Sequence, residues 1–116
     1  MQTEKKLRAG EIPAGIMAYI LRSLQEICFG QVVLVAQNFR LIQVERNEKL
    51  RVTDWERCQG RRSWSDEERT QVRQRIQASF FHLEYGQLVI VVKGGSIVQM
   101  ERTEKCRFTG LDGEGI

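Results

Sequence analysis

Few side chains in this sequence have the chemistry to make or break a bond. His82 is the single histidine, which excludes a paired-histidine motif such as HExxH and leaves a metal site short of nitrogen ligands. Set between Phe81 and Leu83 on a predicted helix, it reads as a structural residue rather than a general base. The cysteines, Cys28, Cys58 and Cys106, form an odd set without a CxxC pair, so no disulfide framework or zinc site is expected and a reducing, cytoplasmic setting fits. A nucleophilic thiol needs a cation or a helix N-terminus to hold its thiolate. Cys28 falls near a predicted helix C-terminus and Cys106 on a strand position equivalent to Leu50, which makes both core filler. Cys58, among Arg57, Arg61 and Arg62, is the one candidate for reactivity. The "KGGS" at 93–96 lacks P-loop spacing and a following helix, and is read as a hairpin turn. No catalytic residue, cofactor or metal ligand is assigned, and the chain is read as not an enzyme.

Two other groups suit binding. The segment "DWERCQGRRSW" interleaves Trp55 and Trp64 with Arg57, Arg61 and Arg62, residue types that stack on unpaired bases and contact phosphates. The alternative for tryptophans is packing against the body of the protein, and Asp54, Glu56 and Asp66 dilute the charge. The second group is a polar set that occurs twice: Gln43, Glu45, Lys49 and Arg51, then Gln99, Glu101, Lys105 and Arg107. Such residues either pair across strands and keep a sheet face soluble, or present a partner-binding face in two copies.

The elements that carry these residues follow from an internal repeat. "FGQVVLVAQNFRLIQVERNEKLRV" at 29–52 recurs as "YGQLVIVVKGGSIVQMERTEKCRF" at 85–108, an offset of 56 (85 − 29) without a gap. Upstream, Ile16, Ile20, Leu24 and Ile27 match Val72, Ile76, Phe80 and Leu83, spaced to lie on one helical face. Pro13 suits a first turn, and "SDEE" from Ser65 has capping-box spacing. Gly30 and Gly86 stand where a helix commonly ends on a residue at positive φ. The apolar runs "VVLVA" and "LVIVV", a turn, then "LIQVER" or "IVQMER" predict strand, turn, strand. Beyond Arg46 the alternation places Ile42, Val44, Arg46, Glu48, Leu50 and Val52 on one face, which fits either one long strand or a hairpin with a three-residue loop.

The fold expected is therefore α+β: two helix-strand-strand repeats in a pseudo-twofold antiparallel assembly, as one sheet or two packed ones, with helices on an outer face. The units are 1–53 and 66–116, joined by a linker at 54–65, with a loose tail. At 116 residues they must share a core. The first strand is apolar on both sides, so its helix covers one face and the second repeat or another chain covers the other.

The helix, the Y/F-G-x strand and "V-Q-x-E-R-x-E-K-x-R" together resemble the YezD-like family of small bacterial proteins, a domain of unknown function usually found as one short copy. The second repeat is the closer match, and the first departs at its turn with "QNF" in place of "KGG". The resemblance implies a bacterial, cytoplasmic protein in which one chain supplies what two single copies would supply as a dimer. It implies no activity, cofactor or catalytic residue.

The balance of composition, 41% hydrophobic and 28% charged with a net charge of +3, is that of a globular chain and permits acidic partners without demanding them. No run approaches the length of about 20 apolar residues that spans a bilayer, so no membrane insertion is expected. Function is read as a protein-interaction or self-association module with an unknown protein partner or a homo-oligomeric state, and alternatively as single-stranded nucleic-acid binding through the Trp/Arg linker.

Overall fold

The computed structural model describes residues 8–54, 63–106 and 108. Helix α1 (Ala14–Glu26) leads into strands β1 (Phe29–Gln37) and β2 (Arg40–Glu48), and helix α2 (Asp66–Phe80) into β3 (Tyr85–Lys93) and β4 (Ser96–Glu104). All pairings are antiparallel, in one sheet of order β2-β1-β3-β4. The repeats thus join edge to edge through β1 and β3, with Val33 opposite Val89 at the midpoint of that ladder.

Local sequence explains each element. Pro13 is the N-cap of α1, one position before the first turn where it is also tolerated. Ser65 caps α2, its hydroxyl accepting from Glu68 N at 3.0 Å while the Glu68 carboxylate accepts from Ser65 N at 2.9 Å. Met17, Ile20, Leu21 and Leu24 of α1 and Ile76 and Phe80 of α2 are buried against Val32, Leu34 and Ala36 of β1 and Leu88, Ile90 and Val92 of β3. Each large apolar side chain so buried contributes about 1.5–3 kcal/mol. The expected Ile16 is instead exposed, because α1 rotates Met17 and Leu21 inward.

Both hairpins have two-residue turns with positive φ at both central positions, Asn38 and Phe39 in the first and Gly94 and Gly95 in the second. Each turn is tied to the other repeat: Phe39 N donates to the Glu84 carbonyl at 3.2 Å and Gly95 N to the Cys28 carbonyl at 3.0 Å. Positive φ costs a bulky residue roughly 1–2 kcal/mol, which glycine avoids at some loss of chain entropy. Phe39→Gly is therefore expected to raise stability by about 0.5–1 kcal/mol in urea unfolding. A lower midpoint would show that the half-buried ring holds the turn.

Three expectations change. First, Gly30 and Gly86 do not terminate helices; they are the second residues of β1 and β3. A Cβ there would collide with the backbone carbonyl of Asn47 or Thr103 on the neighbouring strand, so close approach of two backbones explains the glycine in both copies. Second, the alternation past Arg46 is one strand that stops at Glu48, leaving Leu50 and Val52 70% and 92% exposed. A β-bulge at Val35/Ala36, mirrored at Val91/Val92, adds a residue to β2 and β4. Leu41 and not Ile42 therefore joins Val44 against the core. Third, the second repeat extends the sheet sideways and leaves the face opposite the helices open among the described residues.

Candidate functional site

The sheet register defines the open face row by row. The central row runs Glu45–Val33–Val89–Glu101, flanked by Gln43–Val35–Gln87–Thr103 and Asn47–Gln31–Val91–Gln99. Val33 and Val89 are buried among their neighbours without belonging to the helix-side core, and Val35 and Val91 are half-buried. Gln43 Nε2 donates to Glu45 Oε2 at 2.6 Å. Arg40 and Lys93, which pair with Gln37 and Phe29, place cations on the same face beside the two turns. Among the described residues, Glu45, Glu101, Arg40 and Lys93 make no ion pair.

Half of the repeated polar motif is therefore brought together on this face: Gln43, Glu45, Gln99 and Glu101. Lys49, Arg51 and Lys105 lie beyond the strand ends and are exposed; Arg107 is outside the described residues. The remaining motif positions turn toward the helices, a role that the sequence did not reveal. Arg46 Nη1 donates to Glu26 Oε1 at 2.7 Å, and its Nη2 lies 3.5 Å from Glu48 Oε1. These contacts, led by the hydrogen bond to Glu26, hold the guanidinium pKa above its ordinary value. Arg102 keeps the equivalent ion pair with Glu104 at 3.7 Å, but His82 stands where the first repeat has Glu26. The signal was present in "E-R-x-E", whose second and fourth positions share one side of a strand.

Of the Trp/Arg linker residues, only Trp64 lies among the described residues. Trp64 is half-buried and packs against the core, the structural fate for a tryptophan, while Trp55, Arg57, Arg61 and Arg62 lie outside the described residues. Cys58 does also. Cys28 is buried as expected but is disulfide-bonded, which overturns the reading of these cysteines as unbridged and removes its support for a reducing compartment. Wide sequence spacing hides such a bond, since bridging depends on how close the fold brings two Cα atoms. Cys106 is a free thiol but, lying past the end of β4, is exposed and not core filler. His82 sits just after α2, exposed, its ring edge-on to Phe81 at 4.7 Å. Among the described residues, no cluster of three or more His, Cys, Asp or Glu could hold a metal ion, and no helix is long and apolar enough to cross a membrane.

The family described as "Uncharacterized small protein (DUF2292)" matches residues 16–52 and again 72–108. The chain belongs to this family. Each DUF2292 match takes in most of one helix-strand-strand unit, so the internal repeat is a tandem duplication of the family's domain and the four-stranded sheet is two such units joined at β1 and β3. Comparisons with curated proteins and with solved structures gave no match.

Proposed function

We propose that this tandem DUF2292 chain is a non-catalytic association module that pairs with a second copy of itself through the open face of its sheet. The observation that carries the reading is charge of both signs, without ion-pair partners among the described residues, on one open face: Glu45 and Glu101, related by the repeat, on the outer strands, and Arg40 and Lys93 near the turns. A second copy laid across this face supplies the opposite charge to each and covers Val35 and Val91. Four strands of nine residues span about 30 Å by about 19 Å, a footprint of the order of the roughly 800 Å² per partner that a stable complex buries. Stacked sheets of this kind are a common way to cover such a face. The YezD-like resemblance of the second repeat, and the bacterial setting it carries, belong to the same reading.

Sedimentation velocity tests it. The chain is expected to run at twice its mass of 13.5 kDa at micromolar concentration, and the Val35→Glu, Val91→Glu double variant at its single mass with an unchanged circular dichroism spectrum. A wild-type chain that stays monomeric at high micromolar concentration, or a variant that still dimerises, would refute the reading.

A further inference from the structure

On the opposite side of the molecule, α1 and α2 leave between them a groove of 1140 Å³. Its volume exceeds the roughly 300–1,000 Å³ of ordinary small-molecule sites. Met17 and Leu21 form part of its floor, and small side chains, Ala14 and Ala18 on α1 and Ala78 on α2, keep it wide. Ala14 and Ala18 are four residues apart and so lie on one face of α1.

The charges along the groove are segregated. The two units are alike and their strands β1 and β3 pair antiparallel, so the helices run in opposite directions; accordingly Ile12, two residues before α1, donates its N–H to Gln77 near the end of α2. Arg22, late in α1, therefore falls at the same end as Arg69 and Arg73, early in α2. Arg22 stacks over Tyr19 at 5.7 Å, Arg69 is 3.6 Å from the exposed Asp66, and neither Arg22 nor Arg73 has a carboxylate partner among the described residues. Gln25 adds to this end a buried Nε2 donor without an acceptor among the described residues. Among the described residues, the other end, with Ile12, Phe81, His82 and Glu11, has no arginine in its lining; Arg8 stands beside it over Phe81, but its charge is paired with Glu11 at 3.7 Å.

The geometry points to a partner protein's amphipathic helix as the occupant, carrying an apolar and small-residue stripe along the groove and glutamates or aspartates at the end that meets Arg22, Arg69 and Arg73. Alanine-lined walls allow a third helix to approach at the 8–10 Å of ordinary helix packing. Carboxylates then meet guanidinium groups, the stronger class of hydrogen bond. The site is independent of the open sheet face.

The test is fluorescence anisotropy of the full chain with a labelled helical peptide bearing a leucine and alanine stripe and three glutamates at one end. Binding is expected in the micromolar range. It should fall at least tenfold when lysines replace the glutamates and at least tenfold in the Arg22→Glu, Arg73→Glu variant, which should in turn prefer the lysine peptide. Ala18→Trp, at an exposed position that the fold does not depend on, should abolish binding by filling the groove. Equal binding of both peptides, binding unaffected by Ala18→Trp, or no binding of either would overturn the proposal. Binding of palmitate or of single-stranded RNA that needs the same arginines, with no peptide binding, would also overturn it and assign the groove to an anionic lipid or to nucleic acid.

Discussion

Gly86→Val is expected to lower stability by about 3 kcal/mol or more, enough to unfold much of the population if the chain has the usual 5–15 kcal/mol. Two costs combine. The side chain would stand against the carbonyl oxygen of Thr103, which belongs to the β3–β4 ladder and moves only if the ladder opens, and φ is +148°. Gly30→Val meets the equivalent obstacle at Asn47 and should behave alike. Urea unfolding followed by circular dichroism measures both, and a loss below about 1 kcal/mol in either would mean that the strands accommodate a side chain there.

Phe80→Ala should cost about 3–5 kcal/mol, the range for emptying a fully buried aromatic position. Phe80 is 0% exposed and lies in one cluster with α1's Ile20 and Leu24 and β1's Leu34, residues of the other repeat. The damage should therefore spread across both repeats. Far-UV circular dichroism and tryptophan fluorescence are expected to report a single coincident transition in wild type and variant alike. Two separated transitions would show that the repeats hold separate cores.

Much of this architecture is legible in the residues. A gapless offset with matching polar positions forces two similar units, the Ser65 capping box marks the start of α2, and "KGGS" marks its hairpin. Other features are hidden for definite physical reasons. Alternation of apolar residues does not show a bulge, because one extra residue in β2 exchanges Leu41 for Ile42 without disturbing the pattern on either side. Glycine next to a helix has two explanations, and only the position of the Asn47 and Thr103 carbonyls decides between them. The two-sided apolar character of β1 demands cover but does not say which face an edge-to-edge neighbour leaves bare. At the candidate site, repetition marks Gln43, Glu45, Gln99 and Glu101. The cations Arg40 and Lys93 carry no such mark, because their counterparts, Ser96 and Gln37, are uncharged. Nothing in the sequence links the groove arginines, which come from helices distant along the chain.

β1 and β3 join the two DUF2292 units into one cooperative sheet with a continuous open face, and native-state hydrogen exchange of the β1–β3 ladder probes that junction. Amides bonded across that ladder, around Val33 and Val89, are expected to exchange only by global unfolding, with one shared free energy for both repeats. Exchange of β3 and β4 through an opening of lower free energy, while β1 and β2 remain protected, would contradict it.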